Sequence, residues 1–448
     1  MVEKILAAVK DAGVVGAGGA GFPTHVKIKA QAKIVIANGA ECEPLLRTNE
    51  HLMIQRAQDI ITGLKLVMAA TGADDGVIGI KAKHTEAVRM LEKAIEAEGE
   101  GKIRLFFLRD IYPAGDEQVL VYEVTGRIVP EGGIPLQVGV VVSNVETLLN
   151  VAGALNEQPV TDKYVTVTGA VKSPVTLKVP VGTLVQEMIA AAGGSTVQEY
   201  VVLDGGPMMG KIVLQDAPVT KLTGGLIVLP AVHPLILQKT MAGKTMLNRA
   251  KAACCSCRAC SESCPRHLLG HRLEPHRIMQ AVGSGMQNSG VLAHALLCSE
   301  CGVCDTFGCT MGLSPRKINR EIKQILSKNK IKNPFHDEPS GAKNNRDYHL
   351  VPTSRILSRL GLREYDRAAP LNNEIKVVPQ KVVLLFSQHI GTPAIPVVKT
   401  GEFVNKGQLI GAIPDGTAVG ANIHASISGV AEVRDNMIVI QTAGLEEE

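Results

Sequence analysis

The stretch CCSCRACSESCP, residues 254–265, places cysteines at Cys254, Cys257, Cys260 and Cys264 and a proline directly after the last of them. In this C-x2-C-x2-C-x3-C-P arrangement, three thiolates on one tight loop bind irons of the same four-iron, four-sulfur cluster, and the fourth cysteine binds a second cluster. The stretch therefore predicts a small, largely helical domain that holds iron–sulfur clusters.

A second run of cysteines follows, at Cys298, Cys301, Cys304 and Cys309, with a last gap one residue longer and no proline. Two runs predict two [4Fe-4S] clusters in a ferredoxin-like domain over residues 245–327. If the runs exchange their fourth cysteines, one cluster is bound by Cys254, Cys257, Cys260 and Cys309, and the other by Cys298, Cys301, Cys304 and Cys264. Cys255 is adjacent to a predicted ligand and is expected to bind no iron.

Structural zinc is the alternative for cysteines at this spacing. Zinc takes its four ligands as two separated pairs, whereas this chain has runs of three, so the spacing favours clusters. Three basic residues near the first run, Lys251, Arg258 and Arg266, could stabilise a reduced cluster or could be solvated surface charges.

Composition limits the possible classes of protein. A chain of 448 residues predicts three or four domains, and its net charge of +4 comes from interspersed basic and acidic residues, which argues against nucleic-acid binding. Nine of the ten cysteines lie between Cys254 and Cys309, a clustering typical of metal binding in a reducing compartment. With no signal peptide and no apolar run of about 20 residues, we expect a cytoplasmic protein without a transmembrane segment.

Strands and helices alternate in the first third of the chain, which predicts an α/β domain over residues 1–155. The predicted strands are 33–37, 76–80 and 103–108, and the predicted helices are 2–14, 52–70 and 84–97. The glycine-rich stretch GAGGAGFPT, residues 16–24, lies between the first helix and the first strand. A Rossmann motif requires the order strand, glycines, helix, so this loop belongs to a different nucleotide-binding fold.

The residues around this loop suggest a phosphate-bearing ligand. Glycine leaves backbone N–H groups exposed, and Lys27 follows closely enough to meet a phosphate. The segment NGAECEP, residues 38–44, ends a strand and carries Glu41 and Glu43, whose carboxylates could accept hydrogen bonds from ribityl or ribose hydroxyls. Alternatively, these two glutamates are ordinary carboxylates at the start of a helix.

Two further motifs, YPAGDE from Tyr112 and SNVET from Ser143, complete an ordered set that resembles the FMN- and NADH-binding subunit of respiratory complex I. The resemblance implies an FMN site lined by Gly16, Gly18, Gly19, Lys27, Asn38, Glu41, Gly115, Asp116, Asn144 and Thr147. It implies that Phe22, Glu43 and Glu117 face a nicotinamide nucleotide, with Tyr112 in the same cofactor-binding set. No catalytic acid or base is assigned.

The chain departs from that family at two places. Ile28 and Ala30 stand where aromatic residues are expected, and IVPEGGIPLQ replaces a lysine-containing stretch after Arg127. NADH binding is therefore less well supported than FMN binding.

The rest of the chain predicts a multidomain α/β and α+β protein. Residues 160–230 resemble a soluble-ligand-binding β-grasp domain, which we expect to bridge its neighbours, and the polar residues 328–373 predict a linker with one short helix near 354–360. Residues 374–445 resemble the barrel-sandwich domain of the C subunit of the Rnf electron-transport complex. No lysine follows Lys406, so lipoylation or biotinylation is not expected there.

The position of this barrel at the C-terminal side, with the segment CPRHLLGH at 264–271, resembles the flavin and iron–sulfur cobalamin reductases of propanediol-utilisation microcompartments. That resemblance implies electron transfer from NADH through FMN and two [4Fe-4S] clusters to an oxidised corrinoid. It implies a corrinoid substrate or an adenosyltransferase and a microcompartment shell protein as partners. Two other functions stay open: a non-enzymatic relay to a cluster-bearing shell protein, and a docking component of an Rnf-type membrane complex.

Overall fold

The computed structural model describes residues 1–99, 101–286 and 290–442. Its first unit is a four-stranded parallel sheet with strands in the order Ile103–Leu108, Asp75–Lys81, Ile34–Gly39, Val140–Asn144. The helices of this unit are Val2–Asp11, Thr24–Lys27, Thr48–Gln55, Ala57–Thr71, Thr85–Glu98, Glu117–Thr125 and Val145–Ala154. Successive residues Val35 and Ile36 are fully buried in two different apolar clusters, so both faces of the sheet are covered.

The single helix predicted over 52–70 is wrong, because two helices meet at Arg56. Arg56 has a non-helical backbone (φ −129°, ψ 29°), and its guanidinium lies 3.2 Å from the hydroxyl of Tyr164 in the next unit. The first helix also turns towards that unit, where the hydroxyl oxygens of Thr48 and Thr166 are 2.9 Å apart. Tertiary contacts therefore break the helix where the sequence has neither glycine nor proline.

The second unit is a five-stranded mixed sheet with one helix, Val185–Ala191. Its strands lie in the order Val175–Pro180, Asp162–Gly169, Gly225–Pro230, Tyr200–Asp204, Lys211–Val213. Between the adjacent strands Tyr200–Asp204 and Lys211–Val213, the loop 205–210 reaches back to the first unit.

The cysteine-bearing unit consists of short helices around the two cysteine runs. They are Pro234–Thr240, Gly243–Ala253, Ala259–Glu262, Pro265–Leu268, Pro275–Gly283 and Pro315–Lys328, with 3-10 turns at Gly290–Leu297 and a π-type turn at Cys304–Gly308. Four of these helices begin with proline, whose fixed φ suits the first helical position and needs no hydrogen-bond acceptor there. Residues 287–289 of the predicted ferredoxin-like domain lie outside the described residues.

Residues 328–373, predicted as a linker, are anchored to the first unit. Val351–Pro352 pairs with Ile111–Tyr112 in a two-stranded antiparallel ladder, and the buried Arg346 forms an ion pair with Glu123. The helix Thr353–Arg359 follows directly, close to where a short helix is predicted. Further short 3-10 turns are Arg346–His349 and Arg363–Tyr365.

The last unit packs two small antiparallel sheets around one apolar core. Its strands are Lys381–Leu385, Ile395–Pro396, Phe403–Val404, Leu409–Ala412, Ile423–His424, Gly429–Arg434 and Met437–Gln441. The predicted end of this domain, residues 443–445, lies outside the described residues. None of the helices in the described part of the chain has the length and apolarity that crossing a bilayer requires.

Candidate functional site

The strand order of the first unit places a crevice at one edge of its sheet. From Ile34–Gly39, the chain adds two strands on one side, and Val140–Asn144 then pairs on the other side. At such a switch point, helices leave the neighbouring strands in opposite directions, and open α/β sheets bind ligands beyond the carboxyl ends of these strands. Asn38 and Asn144 are register partners at those ends.

The glycine-rich loop is fixed over this crevice at its two ends. The backbone N–H of Ala17 donates to the hydroxyl of Thr147 at 2.9 Å, and Gly16 N–H donates to the carbonyl of Phe22 at 2.9 Å. A Cβ on Gly18 would lie 3.4 Å from Cβ of Asn144, so the loop closely approaches the strand end. Gly19 has φ +110° with no atom within 4 Å of a Cβ built on it, which leaves open space at the tip.

Lys27 extends across the same edge. Its ammonium donates to the carbonyl of Val142 at 2.9 Å and lies 3.2 Å from a carboxylate oxygen of Glu117. Both side chains are partly exposed, so the ammonium is accessible to an anion entering the crevice.

Two N-terminal helix ends also lie at this edge. Asp116 caps the helix Glu117–Thr125 by accepting from Gln118 and Val119, and Asn144 caps Val145–Ala154 by accepting from Glu146. The side-chain amide of Asn38 donates to Gly115 O at 2.9 Å, and a Cβ on Gly115 would lie 3.1 Å from Cβ of Cys42, so that turn packs tightly on the strand end. Helix N-termini and exposed N–H groups favour an anionic ligand.

The two glutamates of NGAECEP bind backbone amides. Glu41 accepts from the N–H groups of Asn49 and Glu50 at the start of the helix Thr48–Gln55, which is the helix-start arrangement that the sequence left open as an alternative. Glu43 accepts from Met208 at 2.9 Å and from Met209 at 2.8 Å, in the loop 205–210 of the second unit. Burial raises the pKa of both carboxyls, and these N–H groups partly oppose it.

Two residues of the YPAGDE motif contact the cysteine-bearing unit. The buried hydroxyl of Tyr112 donates to the carbonyl of Cys301 at 2.7 Å. The carboxylate of Asp116 receives two hydrogen bonds from the guanidinium of Arg266, at 2.5 and 3.0 Å. Nothing in the sequence pattern indicated these pairings, since 150 residues or more separate the partners.

The crevice fits a phosphate-bearing flavin. The tip at Gly19 is open, Lys27 is within reach of an anion, and the buried hydroxyl of Ser143 at the strand end has no hydrogen-bond partner among the described residues. An orphaned buried hydroxyl costs free energy unless a ligand or water satisfies it.

The eight predicted ligand cysteines form two groups. Cys254, Cys257, Cys260 and Cys309, here named the outer set, line one cavity. In the other group, burial raises the pKa of Cys304, and so does charge repulsion from Asp305, Cys298, Cys301 and Cys264, so these thiols lie close together. We name Cys264, Cys298, Cys301 and Cys304 the inner set; three of its members are buried, whereas Cys257 of the outer set is exposed.

The two cysteine runs share an unusual backbone conformation. Ser256 and Arg258 flank the middle cysteine of the first run with φ of +55° and +68°, and Glu300 and Gly302 flank that of the second with φ of +59° and +82°. Residues of alternating handedness direct successive N–H groups to one side and create concave anion sites, a form found at iron–sulfur clusters.

Hydrogen bonds to sulfur and the thiol pKa values fit this role. Glu300 N–H donates to Sγ of Cys298 and Leu313 N–H to Sγ of Cys309, each at 3.3 Å. Burial, with repulsion from neighbouring thiols, raises the pKa of Cys260 to about 12, so the grouped thiolates need positively charged iron to balance them. In the described part of the chain, no group of three or more His, Cys, Asp or Glu is arranged to hold a single metal ion. A [4Fe-4S] cluster differs from such a site, because its four cysteine ligands bind four irons.

Four protein-family models match the chain. They are the Nuo51 FMN-binding domain at residues 9–153, the SLBB domain at 164–211, a 4Fe-4S dicluster domain at 253–314 and the RnfC barrel sandwich hybrid domain at 365–446. The cobalamin reductase PduS of Citrobacter freundii is 44% identical over 438 residues, which cover 96% of this chain and 95% of that protein. The chain belongs to the cobalamin reductase PduS family.

A second member of this family, from Salmonella typhimurium, is 44% identical and covers 99% of this chain and 97% of its own. The Na(+)-translocating ferredoxin:NAD(+) oxidoreductase complex of Acetobacterium woodii has a C subunit that is 37% identical over 267 residues, which cover 58% of this chain and 57% of that protein. The family predicted from the order of domains and the segment CPRHLLGH is thus confirmed, as are the flavin-binding and iron–sulfur domains.

Proposed function

We propose that this protein is an electron-transfer flavoenzyme that uses NADH to reduce an oxidised corrinoid. The observation that carries the proposal is the direct packing of the flavin motif on the cysteine-bearing unit, where Tyr112 contacts Cys301 and Asp116 contacts Arg266. When bound, FMN exchanges two electrons with a nicotinamide and single electrons with clusters, which suits the one-electron reduction of cobalt.

In this proposal, the crevice of the first unit holds FMN. Lys27 and the N–H groups around Gly18 and Gly19 would hold its phosphate, and Asn38 and Asn144 lie at the strand ends that border the crevice. Gly16, Phe22, Glu41, Tyr112, Gly115 and Thr147 hold the surrounding loops in place. Glu117, beside Lys27, is the residue best placed to meet the nicotinamide nucleotide.

The outer and inner cysteine sets each hold one [4Fe-4S] cluster. The inner set is next to the flavin motif, and the outer set is nearer the surface, where Cys257 is exposed. This order leads from the flavin to the solvent side. The corrinoid would be reduced at an exposed group without acid or base catalysis, and the family relationship suggests a bacterial microcompartment as the location, with a shell protein or adenosyltransferase as partner.

The test is anaerobic reconstitution of the full chain, followed by quantification of iron, sulfide and flavin and by electron paramagnetic resonance after adding NADH. We expect two cluster signals, bound FMN and NADH-dependent reduction of a corrinoid. Cys257→Ser should remove one signal and most of the corrinoid reduction, while Cys255→Ser, its exposed neighbour, should change neither. Zinc in place of iron, failure to retain flavin, or unchanged corrinoid reduction in Cys257→Ser would refute the proposal.

The second candidate function is a non-enzymatic electron relay, because one residue that differs from the complex I motif, Ile28, is buried in the core. Ile28, which replaces an expected aromatic residue, is fully buried and cannot stack on a nucleotide. Reconstituted protein that fails to oxidise NADH with an artificial acceptor, yet exchanges electrons with a cluster-bearing protein, would favour the relay.

A further inference from the structure

Arg266 is a buried cation that joins the two cofactor regions. It follows Cys264 and Pro265 in the short helix Pro265–Leu268, and its side chain is 9% exposed. Both terminal nitrogens donate to the two carboxylate oxygens of Asp116, at 2.5 and 3.0 Å. A two-point ion pair of this kind fixes orientation as well as distance.

This ion pair lies beside the inner set. Arg266 follows the inner-set Cys264 by two residues, and Tyr112, from the same motif as Asp116, donates to the carbonyl of the inner-set Cys301 at 2.7 Å. Cys264 is the N-cap residue of this helix, and its carbonyl accepts from the N–H of Leu268 at 2.9 Å, which ties the helix start to a predicted ligand.

Three other basic residues near the cysteines, Arg258, Lys251 and Arg316, lack this arrangement. Arg258, between two outer-set cysteines, is 57% exposed and lies 3.8 Å from Glu274. Lys251 is exposed. Arg316 is buried near the inner set, but its ion pair is with Asp305 of the same unit, and it reaches the flavin motif only through the loop 205–210, by donating to Met208 O. Of these residues, only Arg266 forms an ion pair with the flavin motif.

We propose that Arg266, oriented by Asp116, is a positioning residue that sets the reduction potential of the inner cluster and holds this cluster against the flavin site. The inference rests on the proposed function, because it requires a cluster on the inner set. A positive charge beside a buried cluster favours the reduced, more negative form, and a buried negative charge opposes it. Removing either partner should therefore change the potential, in opposite directions.

The experiment is a potentiometric titration of both clusters by electron paramagnetic resonance in reconstituted full-length protein. At a fixed potential, Arg266→Gln should lower the reduced-to-oxidised ratio of one cluster by about tenfold, or 59 mV for a one-electron couple. Asp116→Asn should raise that ratio for the same cluster. Arg266→Lys should restore most of the change because it keeps the charge. Arg258→Gln is the matched control, and solvent screening should leave both clusters nearly unchanged.

Shifts of one cluster's reduction potential in opposite directions cannot arise from loosened packing, because loosened packing would change that potential in the same direction in both variants. Equal shifts in Arg266→Gln and Asp116→Asn, a shift of both clusters, or no shift would overturn the inference. If the Arg266→Gln protein loses iron, the other two variants test the inference. Arg266→Lys must keep the wild-type reduction potential of the inner cluster, and Asp116→Asn must raise that potential. Failure of the proposed function is distinguishable, because wild-type protein would then lack two cluster signals.

Discussion

Glu43 illustrates how one side chain can connect three parts of the molecule. Its carboxylate accepts from the N–H groups of Met208 and Met209, and the carbonyl of Met208 accepts from a guanidinium nitrogen of Arg316 at 2.5 Å. Arg316 in turn lies beside Asp305, which follows a cysteine of the inner set. The loop 205–210 is therefore a bridge between the flavin motif and the cysteine-bearing unit, which is the role predicted for its domain.

Glu43→Gln should destabilise the fold by about 1–3 kcal/mol, because the amide has only one acceptor oxygen for two N–H donors. The amide also carries no negative charge opposite Lys239 and Arg316. Urea unfolding of the purified protein measures this change. Glu96→Gln, at an exposed site on the helix Thr85–Glu98, should change the unfolding free energy by no more than about 0.5 kcal/mol. Equal effects of the two substitutions would contradict the bridging role of Glu43.

At the scale of elements, the helices Ala57–Thr71 and Val145–Ala154 pack with their backbones in contact. A Cβ on Gly63 of the first helix would lie 2.0 Å from the carbonyl oxygen of Leu148 in the second. This approach positions the capped end of the second helix, where Asn144 and Thr147 meet the glycine-rich loop. Glycine is required here by space and not by backbone conformation.

Gly63→Ala should therefore destabilise the protein by about 1–3 kcal/mol, since a packed backbone must move to make room. Alanine otherwise stabilises a helix by about 1 kcal/mol relative to glycine. Gly153→Ala, in the partner helix, should show that gain, because its nearest neighbour is a flexible glutamine side chain at 3.4 Å. Thermal unfolding of both variants measures the difference in sign, and a rise in melting temperature for Gly63→Ala would contradict the packing argument.

The local sequence pattern predicted those strands and helices whose tertiary packing agrees with that pattern. The strand at Ile103–Leu108 has its predicted bounds, and the short helix after residue 352 lies near its predicted position. Local pattern did not predict the break at Arg56, which contacts Tyr164 in another unit.

The same limit applies to the candidate site. Motif order indicated which loops meet at the crevice, and cysteine spacing indicated which thiols belong together. The partners of Glu43 and Asp116 were not predictable, since Met208 and Arg266 belong to units whose docking no local pattern encodes.

At the scale of the whole molecule, Lys221 joins three units at one buried point. Its side-chain nitrogen donates to Gly13 O at 2.7 Å in the first unit and to Asn422 O at 2.8 Å in the last. Nearby, the N–H of Ile390 donates to Gly21 O at 3.1 Å, so the last unit also contacts the glycine-rich loop. The C-terminal sheets thus support the loop that bounds the crevice.

This junction should make stability depend on pH in a particular direction. Burial lowers the pKa of Lys221 from 10.5 to about 7. Between these values the unfolded chain binds more protons than the folded one, so the contribution of Lys221 to the unfolding free energy rises with pH. Below about pH 7 the lysine is charged in both states, and its contribution no longer changes.

The measurement is the unfolding free energy of wild type minus that of Lys221→Met, from urea titrations at pH 7, 8 and 9. We expect the difference to rise with pH, by on the order of 1 kcal/mol per pH unit at most. Lys221→Arg is the matched control: its guanidinium stays charged throughout, so its difference from Lys221→Met should be constant. A flat or falling difference for wild type would mean that Lys221 keeps its proton in the folded protein, and that the junction binds its two carbonyls as an ammonium at every pH tested.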